Sequence, residues 1–221
     1  MTGRLGVFDS GFGGLTVLAD LMAAMPQTDF LYLGDNARYP YGTRGFDTVL
    51  EFATEAVDYL FRRGCPVVLL ACNTASAKAL RTIQQQFLPA RWPDRRVLGV
   101  VRPSVEALAE LPPGAIPGVT VPGNATGNVA ILATPGTVAS RSFVMELEKL
   151  APGINVVQQA CPMWVPLVEN GELDGPGCRY FVRKYLEPVL NGPLEISRML
   201  LACTHYPLLL DRISEITPPD V

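Results

Sequence analysis

Two short segments of this 221-residue sequence carry the same arrangement, Leu69-Leu70-Ala71-Cys72 and Leu200-Leu201-Ala202-Cys203. Each closes an apolar run of the kind that forms a buried strand, and each cysteine is followed by small polar residues and a stretch of helical periodicity. A free thiol has a pKa of about 8.5 and is only slightly ionised at neutral pH, but a helix N-terminus or a nearby cation stabilises the thiolate. Inverting a carbon that bears a proton requires a base on one face and an acid on the other, with the roles exchanged in the reverse direction. A pair of strand-end thiols meets that need without a cofactor.

Neighbouring residues extend this chemistry. His205, the single histidine, lies two positions after Cys203 and can serve as its proton partner or bind a substrate carboxylate. Asp9, at the end of another apolar run, can orient an ammonium group, assist proton transfer on the Cys72 side, or cap the following helix. The remaining cysteines, Cys65, Cys161 and Cys178, read as small buried hydrophobes, the usual state of a free cysteine. No metal is expected, because there is no Cys-x-x-Cys pair and one histidine with scattered cysteines lacks ligand spacing. The turn Gly11-Phe12-Gly13-Gly14 misses the dinucleotide template at Thr16, and no phosphate-loop Gly-Lys-Ser/Thr is present. A pyridoxal phosphate enzyme needs a Schiff-base lysine; only Lys78, Lys149 and Lys184 are available, and the last two read as exposed helix residues.

The elements that must position these groups alternate in type. Strands are expected at 5–8, 30–33, 67–71 and 97–100, with helices at 15–25, 46–63 and 74–87 between them. A Pro/Gly-rich stretch from Leu111 to about Gly127 reads as a loop near a domain boundary. Beyond it come strands at 129–133, 154–157 and 198–202 and helices at 138–150 and 177–190. This is the pattern of parallel βαβ units, and the repeated strand-plus-cysteine segment divides it into two related halves. The expected fold is therefore α/β, with two pseudo-symmetric parallel-sheet domains and the active site in the cleft between them. Residues 1–100 form the first domain, joined by 208–221, and 101–207 form the second. Ligand sites in open α/β sheets gather beyond the carboxyl ends of strands, where Asp9-Ser10, Cys72-Asn73-Thr74, Thr134 to Thr137 and Cys203-Thr204-His205 fall. Thr134 and Thr137 join the candidate substrate-binding residues on that position.

With 48% hydrophobic residues the chain can bury a sizeable core. Its 18 basic and 21 acidic residues give a net charge of −3 with no basic run to follow a phosphate backbone, so nucleic acid is not an expected partner. The N-terminus leaves no room for a signal peptide, no apolar stretch reaches a membrane span, and five cysteines do not suggest a disulfide framework. These point to the cytoplasm.

Six motifs in order complete the reading: Gly6-Val-Phe-Asp-Ser-Gly-Phe-Gly-Gly-Leu-Thr-Val, Gly34-Asp-Asn-Ala-Arg-Tyr-Pro-Tyr-Gly, Ala71-Cys-Asn-Thr-Ala-Ser, Ala133-Thr-Pro-Gly-Thr-Val, Cys161-Pro-Met-Trp-Val-Pro-Leu-Val-Glu and Cys203-Thr-His-Tyr-Pro-Leu-Leu. On these the chain resembles bacterial glutamate racemases of the aspartate/glutamate racemase superfamily. The resemblance implies that Cys72 and Cys203 are the two proton donor/acceptors, with Asp9 assisting the first and His205 the second. It implies that Ser10, Asn73, Thr74 and Thr204 bind the α-amino acid head and that the backbone around Tyr41 and Gly42 binds the side-chain carboxylate. Glu169 is then an acidic residue near the histidine, and Asp35 stands behind the site. The implied activity is cofactor-independent interconversion of L- and D-glutamate, supplying D-glutamate for peptidoglycan synthesis, by what is commonly a homodimer; gyrase inhibition is reported for some relatives. The rival readings are a superfamily enzyme acting on aspartate or another acid, and an inactive relative with a binding role.

Three departures from the family pattern are expected to matter. Arg102 stands where an acidic residue is usual, altering local ion pairing. The 111–128 loop is longer than usual and reshapes the cleft edge. The chain ends at Pro218-Pro-Asp-Val, before the family's final strand and helix, leaving the first domain partly uncovered. It also lacks the N-terminal extension associated with activation by a cell-wall precursor in some relatives.

Overall fold

The computed structural model describes residues 3–114 and 126–221. The chain forms two compact units, Met1–Val101 and Arg102–Val221.

The first unit is built on four parallel strands, β1 (Leu5–Asp9), β2 (Phe30–Gly34), β3 (Val67–Leu70) and β4 (Arg96–Gly99), in the order β2-β1-β3-β4. Parallel neighbours need crossover helices. These are α1 (Gly14–Ala24), α2 (Phe46–Arg62) and a helical path from α3 (Asn73–Lys78) through α4 (Leu80–Thr82) to α5 (Leu88–Arg91). Helix α2 buries Val49, Ala53, Ala56, Val57, Leu60 and Phe61, the spacing of one helical face, against Phe8, Val68 and Leu70 of the sheet. The helix expected at 74–87 runs on to Arg91, with a π-helical segment over Ile83–Phe87 just before Pro89. A proline lacks the N–H that regular continuation uses.

The second unit has three parallel strands, β5 (Gly127–Ala133), β6 (Ile154–Ala160) and β7 (Arg198–Ala202), in the order β6-β5-β7. This matches β2-β1-β3, so the expected pair of related parallel-sheet α/β halves is present. Several boundaries differ from expectation. Val101 and Arg102 open a helix, α6 (Val101–Leu108), in which Pro103 lies in the first turn, where a missing N–H costs no helical hydrogen bond. The segment expected to be one helix at 138–150 is two, α7 (Pro135–Ser140) and α8 (Ser142–Leu150), broken at Arg141, whose φ of 55° is left-handed. Strand β6 extends three residues past the expected 157, and α9 (Trp164–Glu169) with Pro166 in its first turn was not anticipated. Gly127 and Asn128, counted with the expected 111–128 loop, are the first residues of β5, and 115–125 lie outside the described residues.

Helix α10 (Pro176–Leu190) buries Cys178, Val182, Tyr185, Leu186 and Val189. Residues 208–221, expected to return to the first domain, belong to the second unit. After a 3-10 turn at Tyr206–Leu209, α11 (Leu210–Ser214) lies along α10, where Arg212 pairs with Asp174 and Arg179 with Glu215. Among the described residues no helix is long and apolar enough to cross a membrane.

Candidate active site

In the first unit, strands β1 and β3 are in register from Leu5↔Val67 to Phe8↔Leu70, so continuing past the strand ends Asp9 falls level with Ala71 and Ser10 with Cys72. The backbone N–H groups of Ala71 and Cys72 both donate to the Phe8 carbonyl. Cys72 caps α3 with an extended ψ of 115° and is buried, and its thiol donates to Ser10 Oγ at 3.4 Å. Burial pushes this thiol up to about 11, the carboxylate of Asp9 adds to the shift, and hydrogen bonds from Ser10 and the α3 backbone oppose it. The expected helix-terminus stabilisation of the thiolate is therefore outweighed by burial.

Asp9 has no solvent exposure, and its Oδ1 accepts the Gly11 N–H at 3.0 Å. It does not cap the following helix, whose N-cap is Gly13. Tyr32 holds the same turn by donating its hydroxyl to the Gly11 carbonyl at 2.7 Å. Helix α1 starts hard against it, since a Cβ at Gly14 would lie 2.4 Å from Asp9 Cβ. Ser10, Asn73 and Thr74 are buried polar residues beside this pair of strand ends. Tyr41 is fully buried with its hydroxyl on Asp35 Oδ2, and Gly42 is buried next to it.

The second unit repeats the strand geometry with different chemistry. Ala133 and Ala202 are paired at the ends of β5 and β7, so Thr134 and Cys203 emerge together. Thr134 caps α7, its Oγ1 accepting the Thr137 N–H at 3.3 Å and lying 3.1 Å from the Thr137 hydroxyl. Cys203 Sγ lies 4.0 Å from Nδ1 of His205, and Thr204 Oγ1 lies 3.4 Å from the same nitrogen. On the far side of the ring, Nε2 meets Glu169 Oε1 at 2.5 Å. A carboxylate only accepts, so Nε2 is the donor in this contact, and Nδ1 faces Cys203 and Thr204. His205 is 3% exposed, so this charge-assisted bond lies away from solvent. Glu169 reaches the histidine because α9 carries it there, and Tyr206 anchors the turn by donating to the Cys161 carbonyl at 3.0 Å.

The three other cysteines are buried, and burial raises each thiol's pKa. Arg102 forms new ion pairs, with Glu106 at 2.8 Å and Glu146 at 3.0 Å. Residues not singled out from sequence also shape the site. Arg38 bonds Asp35 through Nε at 2.6 Å, and Tyr32 holds the turn after Asp9. The three-residue spacing of Asp35 and Arg38 was a readable signal for the first of these; nothing in the sequence marks the second.

No family model matches the chain. A glutamate racemase of Ruegeria sp. (strain TM1040) is 41% identical, over 98% of this chain and 78% of that protein. Among solved structures, a glutamate racemase isoform of Bacillus anthracis matches with a TM-score of 0.85 and 31% identity, over 100% of this chain and 75% of that one. The glutamate racemase of Francisella tularensis subsp. tularensis SCHU S4, solved in complex with D-glutamate, matches with a TM-score of 0.82 and 31% identity, over 97% and 73%. With relatives this similar along nearly its whole length, the chain belongs to the glutamate racemase family.

Proposed function

We propose that this protein interconverts L- and D-glutamate, with Cys72 and Cys203 as the two proton carriers and neither pyridoxal phosphate nor metal required. The observation that supports the reading is the repeated strand-end cysteine, each with a buried ionisable neighbour, Asp9 acting electrostatically on Cys72 in one unit and His205 Nδ1 4.0 Å from Cys203 in the other. On D-glutamate, the Cys72 thiolate removes the α-proton and the Cys203 thiol delivers a proton to the opposite face. On L-glutamate the roles reverse. A thiol pushed up to about 11 is overwhelmingly protonated at neutral pH. The Cys72 proton must therefore leave as substrate binds, and Asp9 is the acceptor at hand. On the other side, the Nδ1 lone pair of His205 takes the Cys203 proton, while Glu169 stabilises the imidazolium that forms.

Ser10, Asn73, Thr74, Thr134, Thr137 and Thr204 are assigned to the α-amino acid head, and the backbone around Tyr41 and Gly42 to the side-chain carboxylate. Asp35 supports that segment through the Tyr41 hydroxyl. The same proposal includes cytoplasmic D-glutamate supply for peptidoglycan and a homodimeric assembly.

The experiment is α-proton exchange in D2O with dialysed protein. Deuterium should enter the α-position of the product enantiomer with no added cofactor. Loss of turnover on chelation, with recovery on adding zinc, overturns the cofactor-independent mechanism; turnover of aspartate in preference to glutamate overturns the substrate assignment.

A further inference from the structure

A chain of charged contacts links α2 to the segment assigned to the side-chain carboxylate. Arg38 Nη1 donates to Glu55 Oε2 at 2.5 Å, and Arg38 Nε donates to Asp35 Oδ2 at 2.6 Å. The same Asp35 oxygen accepts the Tyr41 hydroxyl at 2.5 Å. Arg38 also sits over the Phe52 ring, its Cζ 4.1 Å from the centroid. Tyr41 packs between Phe8 and Phe52, with centroid separations of 6.1 and 5.7 Å, and the Asp35 N–H donates to the Asp9 carbonyl at 3.0 Å.

The two ion pairs differ in environment. Glu55 is 57% exposed, where such a pair contributes little, whereas the Asp35 side chain is 11% exposed. A covered carboxylate that shares one oxygen between a guanidinium and a phenol fixes where the phenol lies, and with it the backbone of Tyr41. Removing the guanidinium leaves Asp35 without its counter-charge, free to draw in water and release Tyr41. None of these hydrogen bonds is made to a thiol.

We infer that Arg38 is a positioning residue for side-chain selectivity: acting through Asp35 and Tyr41, it holds the Tyr41–Gly42 backbone in the conformation that prefers a substrate ending in a carboxylate. The inference rests on the proposed reading of that segment as the carboxylate subsite. Arg38 borders a surface cavity of about 320 Å³ lined also by Leu33, Gly34 and Tyr59, so a shorter side chain creates no clash.

The test compares the inhibition constant of D-norvaline, which carries a methyl group where glutamate has its side-chain carboxylate, with the KM for D-glutamate. In the unmodified protein norvaline should bind far more weakly. Arg38→Ala should raise the glutamate KM about tenfold, leave norvaline nearly unchanged and reduce kcat much less, so the ratio falls about tenfold. Arg38→Lys, which keeps the charge, should recover part of the ratio. An unchanged ratio in Arg38→Ala, or an equal loss for both ligands, overturns the positioning role. A ratio near one in the unmodified protein instead overturns the carboxylate-subsite reading, and the inference falls with it.

Discussion

The two units present a cysteine from the same place in the same strand order, yet surround it differently. The β1/β3 end sets Cys72 among oxygens, with the Ser10 hydroxyl on its sulfur and the buried Asp9 adding to the rise in its pKa. The β5/β7 end sets Cys203 beside an imidazole whose far nitrogen is held by Glu169. A repeated fold thus supplies repeated placement, while the groups around each thiol differ. On one side a buried carboxylate raises the pKa of the thiol; on the other an imidazole nitrogen faces the thiol while the far nitrogen of the ring meets a carboxylate.

The largest effect should come from removing either partner. His205→Asn and Asp9→Asn should each lower kcat/KM by about 10²- to 10⁴-fold, the usual worth of a positioned acid or base. Because enantiomers are equal in free energy, kcat/KM must fall by the same factor in both directions for each variant. The asymmetry appears in ionisation. Asp9→Asn removes a charge that opposes the Cys72 thiolate, so the pH midpoint for alkylation of Cys72 should move down from about 11 even as turnover is lost. A midpoint that rises or stays in place would show that Asp9 does not act on this thiol.

A smaller effect tests how tightly the oxygen-lined end is built. Gly14→Ala brings a methyl group to 2.4 Å from Asp9 Cβ and 2.9 Å from Asp9 Cγ, so Asp9 must shift. Urea denaturation should show a loss of about 1–3 kcal/mol, and racemisation should fall with it. Wild-type stability and turnover would show that this close approach is easily relaxed.

The smallest effect concerns pH. The folded-state pKa of Cys72 is raised, so its contribution to stability is complete below the ordinary thiol value and is lost as pH rises from about 9 through about 11. Cys72→Ala should therefore flatten the decline in stability over that window. An unaltered decline would place the alkaline sensitivity elsewhere.

Much of this architecture is readable from sequence, for reasons visible at particular residues. The strands at 67–70 and 198–202 are apolar runs ending in a cysteine and small polar residues, and the structure places both in parallel sheets. Two helices, α6 and α9, are absent from the sequence expectation; each carries a proline, Pro103 and Pro166, in its first turn, where a missing N–H costs no helical hydrogen bond. Arg141 broke a helix that periodicity joined, since its left-handed φ leaves the apolar spacing almost unaltered. At the site, Cys72, Cys203 and His205 stand out by type and spacing. Glu169 and Asp35 entered only through family resemblance, because contacts made through tertiary packing leave no local pattern. The Tyr32 bond to the Gly11 carbonyl, from β2 to the turn after β1, is of the same kind.

The central claim is that each thiol serves one face, and a reaction needing only the base separates them. A glutamate analogue with a leaving group on its β-carbon undergoes elimination once its α-proton is removed. Cys72→Ser and Cys203→Ser should each abolish racemisation in both directions, since every turnover uses both thiols. Elimination should survive from the L isomer alone in Cys72→Ser and from the D isomer alone in Cys203→Ser. Full racemase activity in either variant, or loss of elimination from the same isomer in both, would contradict the two-thiol account.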